Sequence, residues 1–369
     1  MRKRLATATG ALCALVLGAS AMPASAHPSG GLRTVTGGLD GPRGVAALGH
    51  GATLVSETDG TVSLVREHRH RAATVRRLTR VPSTFAPAVA AGRHGLVYIL
   101  SGGASPDESP KPPPNVVAAS AKLFRWHEGW KKPHLLADIG AYQATDPDPY
   151  DLEKDPTDTN PFGVVALRNG DVLVSDAAGN DLLKVRPDGH VSTVAMLKPR
   201  TVTVPKGAGP PAGSKMPAEA VATSVTVGSD GFYYVGELRG FPATPGTSEI
   251  WRIRPGSHRA VCDPKKPNRS ACKRYADGLT SIVDLAPGRH GSIYAVTLSK
   301  KSWLAIEAKP PVPGAKIGGL FKVSPWGHHI RELAKHKLML PGGADTTCDG
   351  RLYVTGPVFG PGALMRLRG

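Results

Sequence analysis

The chain has 369 residues and a formal net charge of +17, with only 5% aromatic residues but 44 Gly and 34 Pro. This composition is typical of an all-β protein with many turns, and β-repeat folds routinely use such a length as one domain. The sequence has no dense run of basic residues, so we expect no specific nucleic-acid partner. Weak adhesion to anionic wall polymers is the interaction that the charge alone suggests.

Residues 1–26 have the pattern of an exported signal peptide. Basic residues precede a short apolar run at 11–19, and an Ala-Ser-Ala cleavage site ends at Ala26. The apolar run is too short to span a bilayer, and the rest of the sequence predicts no transmembrane segment. We therefore expect a secreted protein that begins near His27 and forms one domain over residues 27–369.

Residues 160–194 contain four short apolar runs separated by turn signals. Asn169-Gly170 and Asp188-Gly189 are dipeptides that accept positive φ in tight hairpins. Each run is rich in β-branched residues or leucine and too short for a helix, so the pattern predicts a four-stranded antiparallel meander. Such a sheet cannot bury both faces by itself and needs neighbours of the same kind.

The chain provides those neighbours as repeats of the same unit. Six units can be aligned, over residues 43–78, 88–139, 164–194, 223–275, 282–333 and 344–367. The last unit lacks its fourth strand, and a surplus strand at 32–36 precedes the first. A ring of blades closes without an open edge when the amino-terminal strand completes the last blade. The sequence therefore predicts an all-β fold, a six-bladed β-propeller closed by its N-terminal strand.

The long connections of these units are predicted to gather on one face. Turns between first and second strands are short, whereas long segments occupy 102–120, 141–160, 198–222, 236–248 and 298–318. In a meander these two classes of connection emerge at opposite ends of the strands. Insertions gathered on one face of a repeat protein usually mark its binding face.

The cysteines predict one covalent link. Cys262 and Cys272 bracket a Pro- and Lys-rich insertion that should lie on the face opposite the long loops. In an exported protein, two cysteines ten residues apart most simply form a disulfide. We expect Cys348, in the turn after the sixth inner strand, to be a buried free thiol.

Several motifs resemble a known family. They are Asn-Pro-Phe-Gly at 160–163, Asp-Ala-Ala-Gly-Asn-Asp-Leu at 176–182, Val-Gly-Glu-Leu at 235–238 and Gly-Phe-Pro at 240–242. Together with the leader, they resemble the ScyD/ScyE family of exported β-propeller proteins. The chain is also similar in outline to NHL-repeat and gluconolactonase-like propellers. The resemblance implies a propeller fold and an exported setting, and it implies no particular reaction.

Polar and aromatic residues of the long loops form the candidate site. The candidate ligand-binding residues are Asn160, Phe162, Asp176, Asn180, Asp181, Glu237 and Phe241. Glu57, Asp176 and Glu237 follow the second strands of their units at equivalent positions. With Asn180, they are candidate ligands for Ca²⁺ or another divalent cation, which prefers carboxylate and amide oxygens. The alternative is that these Asp and Asn side chains bond to their own turns.

The acidic run at 146–155 departs from a calcium-binding loop. Tyr150 stands where the EF-hand pattern needs a third ligand, and no glycine provides the sharp turn. We therefore expect a solvated, proline-stiffened loop beside the central opening.

Three functions follow from these observations. The leading hypothesis is a binding or accessory protein that holds a small molecule, glycan or peptide on its loop-rich face. The second is a divalent-metal-dependent hydrolase of lactones or esters, as in gluconolactonase-like propellers. The third is adhesion to the wall or to a membrane surface through the basic charge. No G-x-S-x-G elbow or Walker loop is present, so the sequence identifies no catalytic residue.

Overall fold

The protein forms the predicted six-bladed propeller. The structure is a computed structural model that describes residues 31–310 and 312–367, so the expected signal peptide lies outside the described residues. Six sheets of antiparallel neighbours follow one another along the chain. Their innermost strands contact one another in sequence, and the first contacts the last. These contacts close the ring.

The strands of the six blades follow the predicted repeats. The first strand is β1 (Leu32–Asp40). Blade one contains β2 (Val45–Gly49), β3 (Ala52–Ser56), β4 (Thr61–Arg66) and β5 (Thr74–Arg80). Blade two contains β6 (Ala88–Ala91), β7 (Leu96–Leu100), β8 (Lys122–His127) and β9 (His134–Asp138). Blade three contains β10 (Pro161–Ala166), β11 (Val172–Asp176), β12 (Asp181–Val185) and β13 (Val191–Leu197).

The second half of the ring repeats this order. A hairpin of β14 (Arg200–Thr203) and β15 (Lys215–Ala218) precedes blade four. Blade four contains β16 (Ala222–Val227), β17 (Tyr233–Glu237), β18 (Ser248–Ile253) and β20 (Cys272–Leu279), with β19 (Ala260–Cys262) between the last two. Blade five contains β21 (Ile282–Pro287), β22 (Ile293–Thr297), β23 (Gly319–Val323) and β24 (Ile330–Leu333). Blade six contains β25 (Gly343–Thr346), β26 (Leu352–Gly356) and β27 (Pro361–Leu367).

Blade six is completed by the amino-terminal strand, as predicted. The strand β1 pairs antiparallel with β27, in a register that runs from Leu32 opposite Leu367 to Asp40 opposite Pro361. It is therefore the outermost strand of a sheet whose inner strands come from the other end of the chain. This pairing covers the edge of β27 that would otherwise be open.

Some elements were not predicted. The strand β19 pairs in parallel with β13, and so adds a fifth strand to the outer edge of blade three. Three short helices lie in the long connections: α1 (Pro114–Ala119), α2 (Ile139–Gln143) and α3 (Trp303–Glu307). No helix among the described residues is both long enough and apolar enough to cross a membrane.

The cysteine predictions are confirmed for the pair and wrong for the third residue. Cys262 and Cys272 form a disulfide with their Cα atoms 5.2 Å apart. The bond ties β19, beside blade three, to the start of β20 in blade four. Cys348 is a free cysteine but it is exposed, not buried, because the turn at 347–350 projects it away from the sheet.

The hydrophobic core lies between neighbouring blades. Side chains alternate between the two faces of each strand, so every blade presents apolar residues to both of its neighbours. Between blades three and four, for example, Leu182, Val235 and Trp251 belong to one cluster and are fully buried. Packing of this kind fixes each blade against the next and so positions the loops at both ends.

The connections divide the ring into two different faces. One face, called the loop-rich face below, carries the connections between blades and between second and third strands. Its loops contact one another, as when the Trp303 indole donates to the Arg239 carbonyl oxygen over 2.9 Å. The other, called the turn face, carries the connections between first and second strands and between third and fourth strands. There Arg93 donates to the Arg168 carbonyl oxygen of the next blade over 3.1 Å.

Candidate functional site

A central cavity of about 230 Å³ lies among the innermost strands of all six blades. Its lining is mostly Gly, Ala and Val, since larger side chains would collide where the blades converge. A Cβ atom on Gly163 would lie 2.9 Å from the Ser224 Cα, and one on Gly343 would lie 2.3 Å from the Arg43 carbonyl oxygen. The small residues therefore allow the close approach of the inner strands.

Two carboxyl groups interrupt this apolar lining. The Oδ2 atom of Asp284 accepts a hydrogen bond from the Ala344 amide over 2.8 Å. The Oδ2 atom of Asp345 accepts one from the Ala47 amide over 2.7 Å. Burial raises the pKa of Asp284 to about 7 and that of Asp345 to about 6, because a charged carboxylate is poorly solvated there. These side chains link blade five to blade six and blade six to blade one.

An arginine and three phenylalanines surround the loop-rich end of the cavity. The Arg43 guanidinium carbon lies 3.7 Å from the ring centroid of Phe162 and 5.3 Å from that of Phe85. The Phe85 ring lies 6.0 Å from Phe162 and 5.9 Å from Phe359. We call Arg43, Phe85, Phe162 and Phe359 the aromatic mouth. Cation–π contacts of this kind are favourable when the guanidinium is shielded from water.

The mouth is held rigidly on its inner side and is open on its outer side. Arg43 is 6% exposed and donates to the Ala86 carbonyl oxygen over 3.0 Å and to the Phe162 carbonyl oxygen. Phe162 is buried, whereas Phe85 and Phe359 are half-buried. The two half-buried rings are therefore the part of the mouth that a ligand can reach.

Two of the predicted ligand-binding residues lie at this mouth. Asn160 and Phe162 line a small cavity beside it, of about 20 Å³, together with Arg43 and Phe85. The Asn160 Oδ1 atom accepts a hydrogen bond from the Gly103 amide over 3.0 Å. Asn160 therefore holds the long loop of blade two against blade three.

Asp176 shapes its own turn. It has no exposed surface, and its carboxylate accepts hydrogen bonds from Thr159 Oγ1 (2.6 Å) and the amides of Asn160 (2.7 Å), Ala178 (3.1 Å) and Gly179 (3.0 Å). Every oxygen that could ligate a metal ion is engaged by the protein. These contacts match the alternative reading of the sequence, in which the Asp176 side chain bonds to the backbone of its own turn.

Asn180 and Asp181 are also buried in contacts within the protein. The Asn180 amide group donates to Asp148 over 3.0 Å and accepts from the Val221 amide over 2.8 Å. The Asp181 Oδ2 atom accepts from Gln143 over 3.1 Å, while its Oδ1 atom is buried without a hydrogen-bond partner among the described residues. Burial, reinforced by the neighbouring Asp176, raises the pKa of Asp181 well above its usual range. These side chains fasten the acidic segment to blade three.

Glu237 belongs to a buried ion-pair network in blade four. Its carboxylate accepts from the Trp251 indole over 2.6 Å and pairs with Arg239. Arg239, which is 1% exposed, also pairs with Glu249 over 3.0 Å. Phe241, in the loop that follows, is half-buried and lines neither the central cavity nor the small cavity beside the aromatic mouth.

The four predicted metal ligands do not converge. The Glu57 Oε2 atom accepts from the Asp40 amide over 2.9 Å, which ties blade one to β1. Asp176 and Asn180 lie in blade three, and Glu237 is paired with Arg239 in blade four. Within residues 31–310 and 312–367, no group of three or more His, Cys, Asp or Glu side chains has an arrangement that could hold a metal ion. Their shared exit position in the repeat places them near different loops, not around one point.

The acidic segment is more tightly packed than the sequence suggested. Asp148 is 9% exposed, and the Leu152 amide donates to Glu219 over 2.7 Å. Burial and the nearby carboxylates raise the pKa of Glu219 to about 7. The segment at 146–155 is therefore folded against blade three and the following connection, and it is not a fully solvated loop.

Sequence analysis missed Arg43, Phe85, Phe359, Asp284 and Asp345. The signal for Asp284 was present in the repeats. Asp284 lies in the first strand of its blade, opposite a residue of the second strand. The residues at the equivalent position of the other five blades are all small: Gly44, Ala88, Gly163, Ser224 and Gly343. A carboxylate in that ring stands out. Phe85 and Phe359 lie in connections that are far apart in the sequence, and only the folded ring brings them together.

No protein-family model matches the sequence, and no curated protein matches it. The fold nevertheless has many solved neighbours. A gluconolactonase from Xanthomonas campestris is 13% identical, with a TM-score of 0.55 over 91% of this chain and 89% of that one. A PQQ-bound aldose sugar dehydrogenase from Streptomyces coelicolor is 12% identical, with a TM-score of 0.54 over 93% and 100%. Identities this low establish the propeller fold and nothing more.

Proposed function

We propose that this protein binds a small uncharged molecule at the aromatic mouth, through either a flat aromatic ring or the apolar C–H face of a sugar ring. The main observation behind this proposal is the pair of half-buried rings, Phe85 and Phe359, whose centroids lie 5.9 Å apart at the loop-rich end of the central cavity. Aromatic rings present large contact areas with few rotatable bonds, which favours stacking of a planar partner. This proposal therefore gives a specific site and a ligand chemistry to the binding hypothesis that the sequence favours.

The construction of the site supports binding over chemistry. Arg43 is held by two carbonyl oxygens and stacked on Phe162, so it supports the mouth from beneath. The cavity below, at about 230 Å³, is smaller than the roughly 300–1,000 Å³ typical of pockets for drug-sized ligands. The ligand is therefore either small or only partly enclosed, with one face on the two phenylalanines.

A thermal-shift panel of uncharged aromatic compounds and pyranosides tests this proposal. Ligands that raise the melting temperature of the wild type should do so in Trp326→Ala, which removes an exposed ring from the opposite face. The shift should disappear in Phe85→Ala and Phe359→Ala, with affinity falling about tenfold for each lost ring contact. If both mouth variants keep the shift, or if no compound stabilises the wild type, the proposal is wrong.

A metal-dependent hydrolase is the second candidate, favoured by Asp284 and Asp345 in the channel. Carboxyl groups whose pKa values lie at about 7 and about 6 can donate or accept protons near neutral pH. The gluconolactonase among the solved neighbours has the same fold. Elemental analysis paired with melting curves in EDTA tests this candidate. A stoichiometric divalent ion, whose removal lowers the melting temperature, would justify screening lactones and esters.

We also propose that the mature chain is an exported member of the ScyD/ScyE family. The motifs at 160–163 and 176–182 carry the family likeness, and the disulfide between Cys262 and Cys272 suits an oxidising compartment. Amino-terminal sequencing of protein recovered from culture fluid should begin near His27. Recovery of the intact amino terminus from inside the cell would contradict the export proposal.

A further inference from the structure

The turn face holds most of the histidines. Of the twelve histidines among the described residues, eleven lie in or directly beside its connections. They are His50, His68, His70, His94, His127, His134, His190, His258, His290, His328 and His329. The twelfth, His336, lies in the connection from β24 to β25 on the loop-rich face. A composition spread evenly over the surface would not separate the two faces in this way.

The same connections carry basic side chains that are not neutralised. Eight exposed examples are Arg69, Arg71, Arg93, Lys131, Lys132, Arg168, Arg254 and Arg289. None of these side chains has an ion pair with another residue in the described part of the chain. They are distributed over blades one to five, so positive charge extends around most of the ring.

Acidic side chains on this face are largely paired already. Asp188 lies 3.2 Å from Arg186 and Asp230 lies 2.9 Å from Arg252. Glu128 is likewise 2.9 Å from Arg76. These carboxylates neutralise arginines other than the eight named above, and the residual charge of the face is positive.

A tryptophan projects from the same face. Trp326 is 80% exposed and occupies the turn between β23 and β24 in blade five. Its turn packs beside the one at 289–291, since a Cβ atom on Gly291 would lie 3.7 Å from Pro325. An exposed indole next to basic residues is typical of surfaces that meet lipid headgroups, where its apolar ring and polar N–H are both accommodated.

We propose that the turn face docks onto an anionic phospholipid surface. The charges follow a ring instead of a groove, which suits a planar partner better than a linear polymer. Arginine and lysine attract the phosphate groups, imidazole N–H groups donate hydrogen bonds to phosphate oxygens, and Trp326 enters the headgroup layer. This interaction is separate from ligand binding at the aromatic mouth, which would then face away from the membrane.

Vesicle sedimentation tests the proposal with two matched triple variants. Arg168→Glu, Arg254→Glu and Arg289→Glu together reverse three charges on the turn face. Lys111→Glu, Lys206→Glu and Lys309→Glu reverse three exposed charges in the long loops. Both variants have the same net charge, so they differ only in where the charge is removed. The probe is a vesicle of phosphatidylglycerol and phosphatidylcholine, with pure phosphatidylcholine as the uncharged reference.

The wild type should bind the anionic vesicles and release them at high salt, because surface charges are screened. The affinity of the turn-face variant for these vesicles should fall by at least about 100-fold, which is roughly fivefold for each of the three basic side chains removed. The long-loop variant should keep binding within about threefold. Brominated lipid should quench tryptophan fluorescence in the wild type and far less in Trp326→Phe, whose remaining tryptophans are Trp126, Trp130, Trp251 and Trp303.

Three results would overturn the proposal. Equal loss in both triple variants would show that net charge alone matters. Absence of wild-type binding to the anionic vesicles would reject a membrane partner. Binding to soluble polyphosphate without binding to vesicles would replace the membrane by a linear polyanion. Melting curves of both variants show whether either has lost its fold, and Trp326→Phe gives a separate readout if the turn-face variant has done so.

Discussion

The two faces of the propeller use charged side chains in opposite ways. On the loop-rich face, carboxylates such as Asp176 and Glu237 are buried and bonded to loop amides or to arginine. On the turn face, arginines such as Arg168 and Arg289 are exposed. Long loops can cover their own polar groups, whereas short turns leave theirs in water. The buried carboxylates of the loop-rich face therefore stabilise structure, and the exposed arginines of the turn face remain available to a partner.

The largest expected difference comes from breaking an ion pair on each face. Arg239→Met leaves Glu237 buried without its cation and removes one of the three arginines paired with Glu249. The loss of the buried pair should cost about 3–5 kcal/mol of unfolding free energy. Arg252→Met removes a partly exposed pair with Asp230 on the turn face and should cost less than about 1 kcal/mol. Urea denaturation measures both. Equal losses would contradict the distinction between the faces.

Two aspartates of blade three sharpen the comparison. Asp176→Ala leaves three amides and the Thr159 hydroxyl without their acceptor, so it should cost about 3 kcal/mol. Asp188→Ala, in the exposed turn of the same blade, should change stability by less than about 1 kcal/mol. Chemical denaturation of both variants is the measurement. An Asp176→Ala protein of unchanged stability that has lost its ligand would return Asp176 to a binding role.

The pH dependence of stability tests two carboxyl groups with a raised pKa, Asp284 in the central cavity and Glu219 in the connection between blades three and four. Asp284 and Glu219 keep their protons to about pH 7 in the folded protein but lose them near pH 4 when unfolded. The folded state therefore binds more protons between these values, and stability should fall as the pH rises from about 4 to 7. Carboxylates whose pKa is lowered, such as Asp230, oppose this fall only at lower pH.

Asp284→Asn isolates one of these groups. Its melting temperature should fall less steeply than that of the wild type between pH 5 and 7, because the substituted side chain does not ionise. Calorimetry at several pH values compares the two slopes. Parallel curves would mean that Asp284 ionises in the folded protein as it does in the unfolded chain.

The smallest expected effect concerns Cys348 on the turn face. Cys348→Ser should leave stability within about 0.5 kcal/mol, since the side chain is exposed. A thiol reagent should label the native protein that begins near His27, and so lacks Cys13, once at Cys348, and the disulfide-bonded Cys262 and Cys272 not at all. If the reagent labelled Cys348 only after denaturation, the turn that contains Cys348 would be covered in the native protein.

The sequence predicts the ring well because repetition averages out local ambiguity. Each blade alone is a set of short apolar runs, but six aligned copies and the surplus strand at 32–36 leave one closed arrangement. The pairing of β1 with β27 follows from the same pattern, whereas the disulfide follows from the spacing of its two cysteines in an exported protein. The sequence misses a strand where a segment leaves its own unit, as β19 does when it joins blade three.

The candidate site is less predictable because its parts are distant in the chain. A motif marks Asn160 and Phe162 in the sequence as candidates. Their partners Phe85 and Phe359 lie in other blades, and only the geometry of the ring brings them together. Asp176 and Glu237 were marked by equally clear motifs, yet their carboxylates hold loops in place. A polar residue at a strand exit does not reveal from sequence whether its partner is a ligand or its own backbone.

Hydrogen exchange of the protein with a stabilising ring compound is the most direct test of the account. The account predicts slower exchange at the three segments of the aromatic mouth, 82–86, 160–163 and 357–360, with the turns at 168–170 and 325–327 unchanged. Slower exchange only at those turns, or no change in exchange at any segment, would contradict a ligand site at the loop-rich end of the central cavity.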